Sequence, residues 1–162
     1  MPEIIVIAHN IRSTHNIGAI FRTAEGFGIS KILLTGYTPY PTLPADTRLP
    51  HISLKLTNQI HKTALGAEAI VPFEYSEALD IAVLKEAGYR IVALEQADRS
   101  IDITTYASPE KIALLLGEEV EGITDELLAQ CDDILEIPMV GQKESFNVSV
   151  AAGIAMYQLS LL

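Results

Sequence analysis

The chain has 162 residues, of which 49% are apolar and 20% charged, a composition typical of one globular domain with a sizeable core. No apolar run reaches the ~20 residues of a transmembrane helix, and the first residues lack the basic region of a signal peptide, so we expect a cytoplasmic protein without membrane span or leader. The net charge of −10 at pH 7, averaged over the whole chain, argues against a nucleic-acid-binding protein.

Six short apolar segments alternate with stretches of helical periodicity. Several are nearly continuous in valine, isoleucine and leucine, which is typical of strands buried on both faces of a parallel sheet. The predicted strands are EIIVIAH (3–9), KILLTG (31–36), EAIVPF (68–73), RIVALE (90–95), KIALLLG (111–117) and DILEIPM (133–139). The alternation predicts an α/β fold with a mostly parallel sheet flanked by helices.

Four helices are predicted where apolar residues recur at helical spacing and where capping residues mark the ends. Their expected limits are residues 17–27 with Gly28 as the stop, Ser76 (N-cap) to Gly88, Thr124 or Asp125 to Gln130, and Asn147 to Leu162. Residues 36–58 break the alternation, because they carry four prolines with aromatic, arginine and histidine residues between them. A loop of this length inside a compact domain is usually functional or mobile.

Charge is distributed unevenly along the chain. Residues 1–62 carry six lysine and arginine residues against three acidic ones, whereas the remaining residues carry five against eighteen. A cationic face on an acidic body is compatible with binding of a polyanion, with strong salt dependence. The alternative is an acidic surface that merely keeps the protein soluble, and charge alone does not decide between them.

Several common site motifs are absent from the sequence. There is no GxGxxG after the first strand, no GxxxxGK[ST] and no GxSxG, which disfavours dinucleotide-binding proteins, phosphate-loop NTPases and α/β-hydrolases. The four histidines form no HExxH pair, so we expect no metal site. The single cysteine, Cys131, is expected to be a buried structural thiol.

The first candidate cluster lies in NIRSTHNIGAIFRTAEG, near the start of the chain. Asn16 stands where a helix begins, and Arg22 follows six residues later. Asn16 could simply be an N-cap, and Arg22 could form a surface ion pair with Glu25. The neighbouring Arg12 and His15 favour a cluster that faces phosphate.

The second cluster is LLLGEEVEGIT, in which a buried strand ends at Gly117 and is followed by Glu118, Glu119 and Glu121. Ligands of open α/β sheets bind beyond the carboxyl ends of the strands. The alternative is a solvated turn with Gly122 as its turn residue.

The third cluster is IPMVGQKESFNVSVAAGIAMYQL, in which a polar loop leads into an alanine-rich helix. Backbone donors and small polar side chains at such a helix N-terminus can hold a ligand. Alternatively, Ser145 and Asn147 only cap the helix.

In this order and spacing, the three clusters closely resemble the motifs of the SpoU-type (TrmH-like) RNA 2′-O-ribose methyltransferases of the SPOUT superfamily. The resemblance covers essentially the whole chain, from the Asn–Arg motif through Gly-x-Glu-x-x-Gly to S-x-NVSVA. It implies a parallel α/β sheet with a C-terminal trefoil knot whose loops bind S-adenosylmethionine. It also implies a homodimer with the site beside the subunit interface.

The resemblance also implies roles for particular residues. The adenine of the cofactor is expected to contact Leu94, Leu116, Gly117, Ile137, Met139 and Phe146. The catalytic set is expected to be Arg22 with the surrounding polar residues Asn16, Glu119, Ser145 and Asn147. Because an arginine pKa above ~12 makes the neutral form scarce, we expect Arg22 to anchor a phosphate and stabilise the 2′-oxyanion. Asn16 would orient Arg22, and Glu119 would hold either of them.

RNA is expected to contact the basic side chains of the first part of the chain, namely Arg12, His15, Arg22, Arg48 and Lys55. Residues 1–162 are predicted to form a single catalytic domain without a separate RNA-binding extension, so a second subunit or an accessory protein would complete the recognition surface. We expect tRNA as the substrate ahead of rRNA. The alternative is a catalytically silent dimer that keeps the cofactor-binding fold and acts as a scaffold.

Overall fold

A computed structural model describes residues 1–161, in which strands and helices alternate as the sequence predicts. The strands are β1 (Glu3–His9), β2 (Lys31–Thr35), β3 (Phe73–Ser76), β4 (Arg90–Leu94), β5 (Ile101–Asp102), β6 (Lys111–Leu116) and β7 (Asp133–Glu136). The helices are α1 (Thr14–Gly26), α2 (Pro50–Ala64), α3 (Ile81–Glu86), α4 (Asp125–Leu128) and α5 (Val148–Ser160). None of these helices is long and apolar enough to cross a membrane.

The seven strands form one sheet in the order β3-β2-β1-β6-β4-β7-β5, and all of their pairings are parallel. In the middle of β1, Val6 lies opposite Ile32 of β2 on one side and Leu114 of β6 on the other. The predicted parallel α/β sheet is therefore confirmed. The C-terminal trefoil knot stays a prediction of the resemblance.

Both faces of the sheet are covered, which explains the continuous apolar runs. Along β1, Ile4, Val6 and Ala8 belong to a core that they share with α1, α2 and α5. The alternate residues Ile5 and Ile7 belong to a second core on the opposite face, which includes residues of α3 and α4. Because successive side chains of a strand point to opposite faces, a strand between two cores is apolar at every position.

The parallel order places the functional segments at one edge. The carboxyl ends of β1, β6, β4 and β7 lie side by side in the sheet, and the three candidate clusters follow β1, β6 and β7. Segments that are far apart in sequence therefore meet at this edge.

The prediction of a loop over residues 36–58 is wrong in its second half, where α2 begins at Pro50. A proline suits the first helical position, since its ring pre-sets the backbone angle and the missing N–H has no partner there. Ile60 and Ala64 are fully buried in the core shared with α1. Tertiary packing therefore stabilises a helix from Pro50 in a segment for which the sequence alone predicts a loop.

Other boundaries also differ from prediction. Residues 68–73 are not a strand: a 3-10 turn at Ala67–Ala69 precedes β3, which begins at Phe73. The N-cap of α3 is Asp80 rather than Ser76, because the Asp80 carboxylate accepts the Val83 N–H at 3.2 Å. The last predicted strand, 133–139, ends earlier, and the two-residue β5 was not predicted.

Candidate active site

Glu119 connects the segment after β6 to the start of α1. Its carboxylate accepts the backbone N–H groups of Arg12 and Ser13, each at 3.2 Å, and the side-chain amide of Asn16 at 3.3 Å. The Asn16 amide oxygen in turn accepts Nδ2–H of Asn147 at 3.2 Å. One residue from each of the three predicted clusters thus belongs to a single hydrogen-bonded set, the Glu119–Asn16–Asn147 cluster.

Helix capping explains how the two asparagines become available for this cluster. Ser13, and not Asn16, caps α1, because its hydroxyl accepts the Asn16 N–H at 3.1 Å. Asn16 is only 7% exposed, and its side chain is free to bridge the other two residues. Asn147 caps α5 by accepting the Ser149 N–H at 2.9 Å through Oδ1, which leaves Nδ2 for Asn16.

Glu119 is held as an anion. Burial opposes its ionisation, but the N–H groups of Glu119 itself, Ser13 and Arg12 and the amide of Asn16 outweigh burial and lower the pKa below its ordinary value. The carboxylate also lies at the N-terminus of α1, where the helix dipole favours negative charge.

A cavity of about 190 Å³ lies beside this cluster, at the carboxyl ends of β4, β6 and β7. Five of the six predicted cofactor contacts line it, namely Leu94, Leu116, Gly117, Ile137 and Phe146. Ser145 and Glu119 line it as well. Met139 does not belong to the lining, so the structure does not bring this predicted contact to the cavity.

The shape of the segment after β6 depends on glycine. A Cβ added at Gly117 would lie 2.4 Å from Cγ1 of Ile123 and 2.8 Å from the Gly122 carbonyl carbon, so no side chain fits there. The turn closes through the Gly122 N–H, which donates to the Glu118 carbonyl at 2.9 Å. The turn interpretation is therefore right for Gly122, while Glu119 also takes part in the polar cluster.

The cavity lining is acidic. Six carboxylates line it (Glu95, Glu118, Glu119, Glu121, Glu136 and Glu144), and no lysine or arginine does. Apolar walls with this charge favour a ligand that is partly apolar and carries positive charge. Glu95 and Gln96 follow β4, so the rule that pointed to Glu119 could have found them. Val148 and Ala151 line the cavity only because of how α5 packs.

Arg22 stands apart from these contacts. Its side chain is exposed on α1 and, within residues 1–161, forms neither a hydrogen bond nor the ion pair with Glu25. Arg22 lies six positions after Asn16 on α1, which corresponds to about 240° around the helix axis, so the two side chains point in different directions. Within residues 1–161 no contact of Asn16 orients Arg22, whereas the expected contact of Glu119 with Asn16 is formed.

The other predicted RNA contacts divide into two groups. Arg12, His15 and Lys55 are exposed. Arg48, by contrast, pairs with Asp46 at 2.6 Å and donates to the carbonyls of Tyr40 and Pro41. The geometry thus gives Arg48 a role inside the loop and does not support it as an RNA contact.

Two further features bear on chemistry. In the described part of the chain, no group of three or more histidine, cysteine, aspartate or glutamate side chains is placed to hold a metal ion. Cys131 is buried, and burial raises the pKa of its thiol to about 11, which suits a structural residue.

The fold and the cavity define the chain as a parallel α/β protein with a cavity at the carboxyl edge of its sheet, where such folds bind ligands. The model of the SpoU rRNA Methylase family matches residues 3–157. The chain belongs to this family, which confirms the resemblance seen in the motifs.

Relatives of the chain are methyltransferases by name. It is 31% identical over 157 residues to a putative TrmH family tRNA/rRNA methyltransferase of Staphylococcus haemolyticus, an alignment that covers 96% of this chain and 57% of that protein. It is 32% identical over 160 residues to a 23S rRNA (guanosine-2′-O-)-methyltransferase of Nitrosomonas europaea, covering 97% and 55%. A tRNA (guanosine(18)-2′-O)-methyltransferase of Escherichia coli is 28% identical, with 97% and 62% covered. The chain thus spans little more than half the length of these relatives.

Solved structures show the same fold. An AdoMet-bound rRNA methyltransferase from Sinorhizobium meliloti superimposes with a TM-score of 0.78 at 27% identity, covering 99% of this chain and 57% of that one. The TrmH/SpoU tRNA modifying enzyme of A. aeolicus gives a TM-score of 0.78 at 25% identity, covering 99% and 75%.

Proposed function

We propose that the chain is an S-adenosylmethionine-dependent methyltransferase that modifies the 2′-hydroxyl of a ribose in RNA. The observation that carries this proposal is the Glu119–Asn16–Asn147 cluster, which joins the three family motifs at the border of the cavity. Membership of the SpoU rRNA Methylase family and the names of the relatives support it.

The cavity suits S-adenosylmethionine, which supplies an activated methyl group when bound. Its lining of apolar side chains, strand-end backbone and carboxylates without a cation fits a ligand with an apolar purine and a positive sulfonium. The Sinorhizobium meliloti relative is described with AdoMet bound. We assign the adenine to the walls formed by Leu94, Leu116, Gly117, Ile137 and Phe146. Met139 stays a proposal from the resemblance alone.

Arg22 is proposed to act on the RNA rather than as a base. Its five donors can bind a phosphate in bidentate fashion and stabilise negative charge that develops on the 2′-oxygen. The Glu119–Asn16–Asn147 cluster fixes the start of α1 and the start of α5, and Ser145 stands at the cavity beside them. These residues position the reacting groups, a contribution that depends on correct geometry.

The RNA is proposed to be a tRNA. The 23S rRNA is the second candidate, because one of the relatives above is named for that substrate. Arg12, His15 and Lys55 are exposed and are proposed to meet the RNA backbone together with Arg22. An accessory protein or a second subunit would extend this surface.

A homodimer is proposed through the outer faces of α1 and α5. Val150, Ile154 and Tyr157 of α5 are 50%, 36% and 51% exposed, an apolar stripe beside Phe27. Exposed apolar patches of this kind mark protein interfaces. Arg22 lies three residues after Ala19, which lines the same groove, so a second copy would approach the proposed catalytic arginine.

The test is transfer of labelled methyl from S-adenosylmethionine to unmodified tRNA and, separately, to rRNA. We expect label in alkali-resistant 2′-O-methyl nucleotides with the wild-type chain and its loss with Arg22→Ala. Cofactor binding by calorimetry without transfer to either RNA would contradict methyl transfer by this chain on its own, and would favour a silent scaffold or an enzyme that requires the accessory protein.

A further inference from the structure

An open groove lies beyond β1 and β2, and Arg12 and Ser13, whose backbone N–H groups donate to Glu119, belong to its lining. Its volume is about 520 Å³, and its lining includes Arg12, Tyr37, Pro39, Tyr40, Arg48 and Gln59. The start of α1 and the segment 37–49 form much of its lining, and residues of α2 and β3 complete it. The groove thus combines aromatic rings and arginines at the sheet edge that carries the candidate active site.

The aromatic rings of the groove differ in what they contact. Tyr40 stacks on Tyr75 with 3.8 Å between ring centroids, and the Arg48 guanidinium lies 3.5 Å from the Tyr40 centroid. Tyr37, by contrast, is 51% exposed, and the exposed guanidinium of Arg12 lies 5.3 Å from its ring centroid. Packing of the loop against β3 explains Tyr40 and Tyr75, but it does not explain the open ring of Tyr37.

The backbone that carries Tyr37 is tied to the segment after β1. Its N–H donates to Oδ1 of Asn10 at 3.1 Å, and a Cβ at the preceding Gly36 would lie 1.8 Å from that same oxygen. The neighbouring Thr38 is 2% exposed, and its hydroxyl accepts the Ile11 N–H at 3.1 Å. An exposed ring on a backbone fixed in this way is ready to bind, since little freedom is left to lose.

Arg12 connects this ring to the candidate active site. Its backbone N–H donates to Oε2 of Glu119 at 3.2 Å, while its side chain lies against Tyr37. A ligand on Tyr37 would therefore lie next to the residues proposed to position the reacting ribose.

We propose that Tyr37 and Arg12 form a stacking platform for an unpaired base of the substrate RNA, in a nucleotide that neighbours the methylated ribose. The inference rests on the proposed function and adds that the substrate RNA is unpaired next to the methylated ribose. Unstacked bases in single-stranded loops are the parts of RNA that aromatic and arginine side chains bind by their faces. The positive charge of Arg12 also suits the phosphates on either side of such a base.

The first test measures RNA affinity with ring variants at position 37. For binding of an unmodified tRNA transcript, we expect Tyr37→Ala to raise the Kd by about 5- to 100-fold, as for loss of one stacked base. Tyr37→Phe should keep wild-type affinity, because the ring face remains. Cofactor affinity and the melting temperature should be unchanged in both variants. Equal RNA affinity of Tyr37→Ala and wild type would overturn the platform.

A second test uses fluorescence, because the chain contains no tryptophan. Tyr37→Trp introduces a single reporter, and Val83→Trp on α3, where Val83 is 56% exposed, is the matched control. We expect saturable quenching by the tRNA transcript for Tyr37→Trp and not for Val83→Trp. RNA binding measured by anisotropy without quenching at position 37 would overturn the platform but leave the proposed function intact. Failure of the wild-type chain to bind any RNA would overturn both.

Discussion

The loop 37–49 and the outer face of α1 each carry an arginine, and the surroundings of the two side chains are opposite. Arg48 pairs with Asp46, donates to two backbone carbonyls and lies on the Tyr40 ring, and its side chain is only 15% exposed. Arg22 is exposed and, in the part of the chain that the structure describes, has no hydrogen-bond or ion-pair partner.

Arg48 therefore maintains the fold, whereas Arg22 is available for a ligand. The guanidinium of Arg48 has its donors occupied by loop oxygens, so its loss leaves partly buried acceptors without partners. The guanidinium of Arg22 has all of its donors open, so its loss costs the fold little. Both arginines were predicted to contact RNA, Arg22 from the resemblance and Arg48 from its charge, and their surroundings in the structure distinguish them.

The largest effect is expected for Arg22→Ala. Methyl transfer should fall by about 10²- to 10³-fold, as for loss of a group that stabilises developing negative charge. The free energy of unfolding should stay within about 0.5 kcal/mol of wild type, since an exposed residue without partners is replaced. Methyl-transfer assays and denaturant unfolding of the same preparation measure the two quantities.

Arg22→Lys tests whether the charge of Arg22 is sufficient or its planar set of donors is required. Lysine keeps the positive charge but lacks the planar fork of donors, so we expect turnover well below wild type. Wild-type turnover by Arg22→Lys would contradict the bidentate phosphate contact.

Arg48→Ala should show the reverse pattern. The carbonyls of Tyr40 and Pro41 lose their donor, and we expect a loss of about 1–3 kcal/mol in the free energy of unfolding. Cofactor binding should be preserved, because Arg48 does not line the cavity. If Arg48→Ala instead kept full stability and lost RNA binding, Arg48 would be an RNA contact, and the assignment of Arg48 to the fold would be wrong.

Glu119→Gln tests the polar cluster through pH. The pKa of Glu119 is lowered from its ordinary value of 4.5, because its N–H donors outweigh the burial that opposes ionisation. Its contribution to stability is therefore complete above about pH 4.5 and is lost as the pH falls through the lower pKa of the folded state. At pH 7 we expect Glu119→Gln to be about 1–3 kcal/mol less stable than wild type.

Unfolding of both proteins in denaturant across pH 3 to 7 provides the measurement. The difference between wild type and Glu119→Gln should shrink as the pH falls below about 4.5. A difference that stays constant over this range would mean that the charge of Glu119 is not what stabilises the cluster.

The smallest effect concerns the acidic cavity. Because carboxylates and no basic residue line it, S-adenosylmethionine should bind more weakly as salt is added, whereas the demethylated product, which lacks the sulfonium charge, should respond less. Glu121→Gln, at an exposed position of the rim, should weaken cofactor binding by about 2- to 5-fold. Calorimetry at two salt concentrations measures both effects, and equal salt dependence of the two ligands would argue against a role for the charge.

The most regular strands could be predicted closely from sequence. The predicted segment 3–9 coincides with β1, and the segments 31–36, 90–95 and 111–117 each exceed the observed strand by one residue. Continuous apolar runs in a chain that alternates with helices leave few other structures for these residues. The prediction of a strand over 68–73 from its weaker pattern is wrong, because Ala67–Ala69 form a 3-10 turn and β3 begins only at Phe73.

The sequence by itself determined the α/β class, the central strands and the three motifs with their order along the chain. The resemblance left open whether Glu119 holds Asn16 or Arg22. Tertiary structure decided that Asn16 contacts both Glu119 and Asn147, which lie 103 and 131 residues away along the chain. It also decided that α2 forms and that Arg48 serves the loop. The physical reason is that strand patterns are local, whereas a contact between distant side chains depends on the order in which parallel strands are placed in the sheet.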